Sequence, residues 1–92
     1  MRGTEEIVIT FDATTEAIRA EKLLVQAGLC PLVMPLPSQI KAGCGLCLRV
    51  RPEALQAAKN TLAEGQARWA GWFLRRPGKG GSTYEPLRED EK

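Results

Sequence analysis

The chain has 92 residues, 43% of them hydrophobic and 26% charged, the balance of one small domain with a single modest core rather than of a disordered segment. Its net charge of +2 is too weak to signal nucleic-acid binding, and none is expected. Six basic residues of the second half, Arg49, Arg51, Arg68, Arg75, Arg76 and Lys79, read as a solvated surface.

Residues 6–11, EIVITF, alternate as a short strand, with Ile7, Ile9 and Phe11 on one face and Val8 and Thr10 on the other. In DATTEAIRAEKLLVQAGL, Asp12 or Thr14 is placed to cap a helix whose first turn carries Glu16. Ala17, Ala20, Leu23, Leu24 and Ala27 recur at helical spacing as its buried stripe, and Gly28 stops it in the left-handed conformation. PLVMP is a second strand bracketed by Pro31 and Pro35, and LPSQIKAGCG is a loop. LCLRV alternates again, Leu46, Leu48 and Val50 pointing inward and Cys47 and Arg49 toward solvent. Pro52 opens a second helix with Glu53 at its positive end, Leu55, Ala58 and Leu62 as its stripe, and Gly65 as its end. ARWAGWFLR is a last strand with two tryptophans, one for the core and the other on the open sheet or at an interface.

The predicted order is β-α-β-β-α-β, an α+β ferredoxin-like sandwich over residues 1–74 with two helices on one face of a four-stranded antiparallel sheet. The tail, 75–92, combines Pro, Gly and charge without an apolar pattern and is expected to be disordered. No stretch of about 18 apolar residues would span a membrane, and no signal peptide is recognisable at the N-terminus. The odd count of three cysteines favours the cytoplasm over an oxidising compartment.

The chemistry centres on KAGCGLCLRV, where Cys44 and Cys47 stand in a C-x-x-C spacing. A redox pair needs sulfurs brought together, yet three residues of extended chain span roughly 10 Å, and a disulfide needs Cα atoms within about 7 Å. A zinc site needs three or four ligands, while histidine is absent and Cys30 is the only other thiol; no metal and no cofactor is expected. A single working thiol at Cys44 fits better. Gly43 and Gly45 free the backbone N–H groups to turn toward the sulfur, and Lys41 and Arg49 are candidates for added positive charge. The motif holds no general base, which suits a thiol that receives and hands on a group better than an independent enzyme. A tight Gly-Cys-Gly hairpin whose cysteine merely packs fits the same residues.

GLCPLVMP places a Cys-Pro pair after Gly-Leu, similar to the motif of small sulfur-relay carriers. There the pair opens a helix; here it follows one and enters a strand, so Cys30 reads as structural or incidental.

AEKLL at 20–24, AG at 27–28, PLP at 35–37, CGLCLR at 44–49 and RPEAL at 51–55 together resemble a family of small bacterial and archaeal domains described as selenium/sulfur carrier-like. The likeness runs from about residue 6 to residue 74. It implies that Cys44, with Gly45 beside it, is the carrier thiol, bearing sulfur or selenium as a persulfide or selenopersulfide. The implied partners are a cysteine desulfurase-like or selenium donor and an acceptor protein. Cys47 stands where the family usually has a small residue such as alanine, and is at most a resolving thiol. Ser38 stands where a basic residue often follows the P-x-P. The alternatives from other classes are a C-x-x-C oxidoreductase and a non-catalytic interaction module that binds through its open sheet face, a face that would also suit a homodimer.

Overall fold

A computed structural model describes residues 5–41 and 43–87. Its elements follow the predicted order and add one. Strand β1 is Glu6–Thr10, helix α1 Thr14–Gln26, β2 Leu32–Pro35 and β3 Leu46–Val50. A short 3-10 turn at Pro52–Ala54 leads into α2 at Leu55–Glu64, followed by β4 at Gly71–Arg76 and β5 at Thr83–Pro86. All strand pairs are antiparallel, in the order β2-β3-β1-β4-β5. The fold is therefore α+β with five strands rather than four. Among the described residues no helix is long and apolar enough to cross a membrane.

Alternation in the central strands builds the core. Ile7, Ile9 and Phe11 meet Leu48, Val50 and Trp72 on one face, and both helices lie against it through Ala17, Ala20, Leu24, Ala58 and Leu62. Alanines on the buried helical faces let the helix backbones approach the sheet closely, and each large side chain fully buried there contributes about 1.5–3 kcal/mol. Leu23 is only partly buried and Ala27 is exposed, so the stripe of α1 is narrower than its spacing predicts. The helices touch where Gly65 ends α2: a Cβ on it would stand 2.6 Å from Leu23 Cδ1.

Local signals decide the helix ends unevenly. Gly28 takes φ +80 after α1, its N–H bonding Val25 O while the Leu29 N–H reaches Leu24 O, the wrapped-back ending that a left-handed residue permits. At the N-terminus, neither Asp12 nor Thr14 caps. The cap position is Ala13, with no side-chain hydrogen bond. The space a capping side chain would use there borders the loop that carries Cys44, since Gly43 packs on the Asp12 carbonyl.

Two expectations are corrected on the other face of the sheet. The tail is not wholly without structure: residues 83–86 pair with β4 as β5, and residues 88–92 lie outside the described residues. Nor is this face open. Val8, Cys47 and Ile40 form a second buried cluster, flanked by Met34, Leu36, Phe73 and Tyr84. Ile40 arrives from the loop after β2, turned inward by a bond from its N–H to Pro37 O, and Tyr84 arrives from β5. Gln39 Nε2 donates to Ser82 O at 3.3 Å, joining loop and hairpin.

Candidate functional site

The loop before β3 is shaped by its two glycines for different reasons. Gly43 lies against the β1–α1 junction so closely that a Cβ would come within 2.7 Å of Asp12 O. Gly45 has open space around it but adopts φ +78, a conformation that costs an L-residue about 1–2 kcal/mol. Between them Cys44 is half-buried and rests against the helix-side core. The last β1–β3 pair is Thr10 with Cys47. One step beyond that ladder, the Leu46 N–H donates to Cys44 Sγ at 3.4 Å, and the thiol in turn donates to Leu46 O at 3.4 Å. A partly exposed sulfur thus sits in a glycine-lined turn with a backbone donor already on it.

Cys47 is a different thiol. It is fully buried in the second cluster, its Sγ donating to Pro35 O at 3.7 Å. Burial pushes its pKa up to about 11, with Cys44 adding a smaller push and Arg49 opposing. The sequence reading placed Cys47 on the solvent side; Ile40 covers it instead. Cys44 rests against the cluster under the helices and Cys47 belongs to the cluster on the far face, so the C-x-x-C spacing separates two thiols across the sheet. All three cysteines are free.

The other candidates disperse. Lys41 is exposed. The Arg49 guanidinium is held by Glu6, which also binds Arg75 at 2.9 Å. Cys30 is exposed at φ 51 and follows α1 into β2, lining a 360 Å³ cleft with Arg51 and Glu53. Trp72 is core, and Trp69 is half-buried and edge-on to it at 5.3 Å. Among the described residues no three of His, Cys, Asp and Glu gather as a metal site.

Sequence reasoning missed the junction that backs the Cys44 loop. Asp12 and Ala13 meet Glu16, Arg68 and Trp69 around a 220 Å³ cleft, and the Arg68 N–H donates to Glu16 Oε1 at 3.3 Å. The signal available was Gly43 itself, a glycine outside any turn that demands one.

Comparison with curated proteins returned no match, and neither did comparison with solved structures. A family model does match, over residues 6–74, with the description "Putative Se/S carrier protein-like". That span runs from the first residue of β1 to Leu74 in β4 and includes the whole Cys44 loop. The chain belongs to this Se/S carrier-like family.

Proposed function

We propose that Cys44 is a carrier thiol that takes up one sulfur or selenium atom and passes it to an acceptor protein. The carrying observation is the setting of its sulfur: half-buried, flanked by two glycines, and hydrogen-bonded by the Leu46 N–H at 3.4 Å. In loading, the Cys44 thiolate, its proton lost to solvent, attacks the outer sulfur of a donor persulfide. The new bond joins Cys44 Sγ to that atom, the donor's S–S bond breaks, and the donor leaves as a thiolate with no net oxidation. The atom leaves again when an acceptor nucleophile attacks it and Cys44 departs as thiolate. A Leu46 N–H already aimed at Sγ serves the negatively charged form at both ends of the cycle. Burial of Cys47 on the opposite face supports a persulfide that is not discharged from within, because a protonated, covered thiol is a poor nucleophile. The connectivity β-α-β-β-α-β with β2-β3-β1-β4 as neighbours supports a ferredoxin-like frame to which β5 is an addition. We place this chemistry in the cytoplasm, where thiols stay reduced.

Intact-mass spectrometry after incubation with a cysteine desulfurase and cysteine, or with a selenium donor, tests the reading. A gain of one sulfur or selenium, abolished in Cys44→Ser and retained in Cys47→Ser, is expected. A folded protein that gains nothing from either donor would remove the carrier role.

A further inference from the structure

At the end of the sheet remote from Cys44, three arginines that looked scattered in sequence converge. Glu6 opens β1, about 13 Å of strand from Thr10. Arg49 on β3 and Arg75 on β4 flank it, and both guanidiniums donate to a single oxygen, Glu6 Oε1. The arginine side chains are only 23% and 22% exposed. Arg49 Nε is buried without a hydrogen-bond partner among the described residues. Arg51 stands on the rim, and Glu5, Glu6, Glu53 and the three arginines line an open cleft of about 730 Å³.

Three carboxylates and three guanidiniums line this cleft, yet among the described residues Glu6 is the one carboxylate that contacts Arg49 and Arg75. Glu5 pairs with Arg76 at 3.2 Å, and Arg76 also reaches Glu85 at 3.6 Å. Glu53 reaches only Arg51, at 3.9 Å between two highly exposed side chains, a pair of little strength. That leaves one carboxylate oxygen between two mostly buried arginine side chains, of whose nitrogens Arg49 Nε is buried and unpartnered among the described residues. A buried ion cluster serving only stability would be expected to satisfy its donors, because an orphaned one costs free energy. Paired guanidinium forks on a concave wall are the arrangement that takes a carboxylate or phosphate group, and the volume falls in the range of small-molecule sites.

We infer that this cleft binds a small ligand through an oxyanion, carboxylate or phosphate, held by Arg49 and Arg75 with Arg51 at the rim. The site stands apart from Cys44, so its failure leaves the carrier reading untouched, and the reverse holds. The test follows the arginine Nε–Hε resonances of the ¹⁵N-labelled full chain during titration with inorganic phosphate and, separately, citrate, at ionic strength held constant with chloride. The Arg49 and Arg75 signals should move along a saturating curve with a midpoint on the order of a millimolar or tighter. Saturation by phosphate alone, citrate alone or both identifies which oxyanion the site accepts. Arg49→Lys keeps the charge but loses the fork, and should weaken binding about tenfold. Arg51→Ala alters only an exposed rim residue and should weaken it about threefold, which keeps the test decisive if the Arg49 variant is unstable. Shifts that stay linear in both probes, or saturating shifts that Arg51→Ala leaves unchanged while Arg49→Lys is either unfolded or also without effect, would overturn the inference.

Discussion

Cys44 and Cys47 are three positions apart, yet their surroundings assign them opposite behaviour. Cys47 is covered by Ile40 and its thiol is raised to about 11, so iodoacetamide at neutral pH should modify Cys30 and Cys44 in the folded protein and reach Cys47 only in denaturant; peptide mapping reads this directly. The same shift carries a pH dependence with a definite sign. Below the ordinary value of 9.0 the thiol is protonated folded and unfolded. Between there and about 11 the unfolded chain gives up its proton while the folded one keeps it, so stability falls as pH rises. Relative to Cys47→Ala, the parent should lose about 2 kcal/mol between about pH 8 and about pH 10.5, measured by urea unfolding at each pH. The two glycines beside Cys44 separate in the same way. Gly45→Ala meets open space and should cost only its backbone strain, about 1–2 kcal/mol. Gly43→Ala drives a methyl into the Asp12 carbonyl and must displace the loop. In the same urea series it should cost more, about 2–3 kcal/mol, and it should slow sulfur loading of Cys44 by mass spectrometry where Gly45→Ala slows it less.

At the scale of elements, what was legible was what repeats. β3 lies where LCLRV alternates, and the helices lie where alanine and leucine recur at helical spacing, because one-sided burial writes a period into the chain. The loop 36–41 and strand β5 carry no period. Ile40 is a lone apolar residue among Ser38, Gln39 and Lys41, and TYEP offers four residues ending in proline, so neither shows which distant surface it covers. The setting of the thiols was legible in part for the same reason: Gly43 and Gly45 mark the Cys44 turn locally, whereas the burial of Cys47 and the pairing of Glu6 with Arg49 and Arg75 depend on partners far along the chain. The unforeseen elements have weight. Tyr84 closes the second cluster, Leu87 packs against the first, and the Leu87 N–H donates to Trp72 O at 2.8 Å. A chain ending at Pro77 should fold but lose about 2–4 kcal/mol in urea unfolding. It should also expose Phe73, read as increased binding of a hydrophobic dye. A truncated chain as stable as the parent would show that β5 adds nothing to the core.

Considered whole, the sheet ends at β2 in an edge whose donors have been removed. The Leu36 N–H bonds Gly45 O at 2.9 Å, so Leu36 points its backbone inward to β3. With the β2–β3 register of Met34 opposite Cys47 and Leu32 opposite Arg49, alternation sends residues 32, 34 and 36 inward and residues 31, 33 and 35 outward. Two of those outward positions are Pro31 and Pro35, which have no N–H, and only Val33 can donate to a neighbouring strand. The edge nevertheless exposes Leu32 and Val33, the apolar surface that would invite pairing if the donors were present. Proline at two of the three outward positions removes the donors that an added strand would need. Replacing Pro31 and Pro35 by valine restores two outward donors and raises strand propensity, while the Pro35 carbonyl that accepts from Cys47 Sγ is retained. The parent should show no self-association through β2, whereas the double variant should associate with increasing concentration in sedimentation velocity across the micromolar to millimolar range. Association that Val33→Lys then suppresses would locate the contact on this edge, and a double variant that sediments like the parent at every concentration would show that the prolines do not guard it.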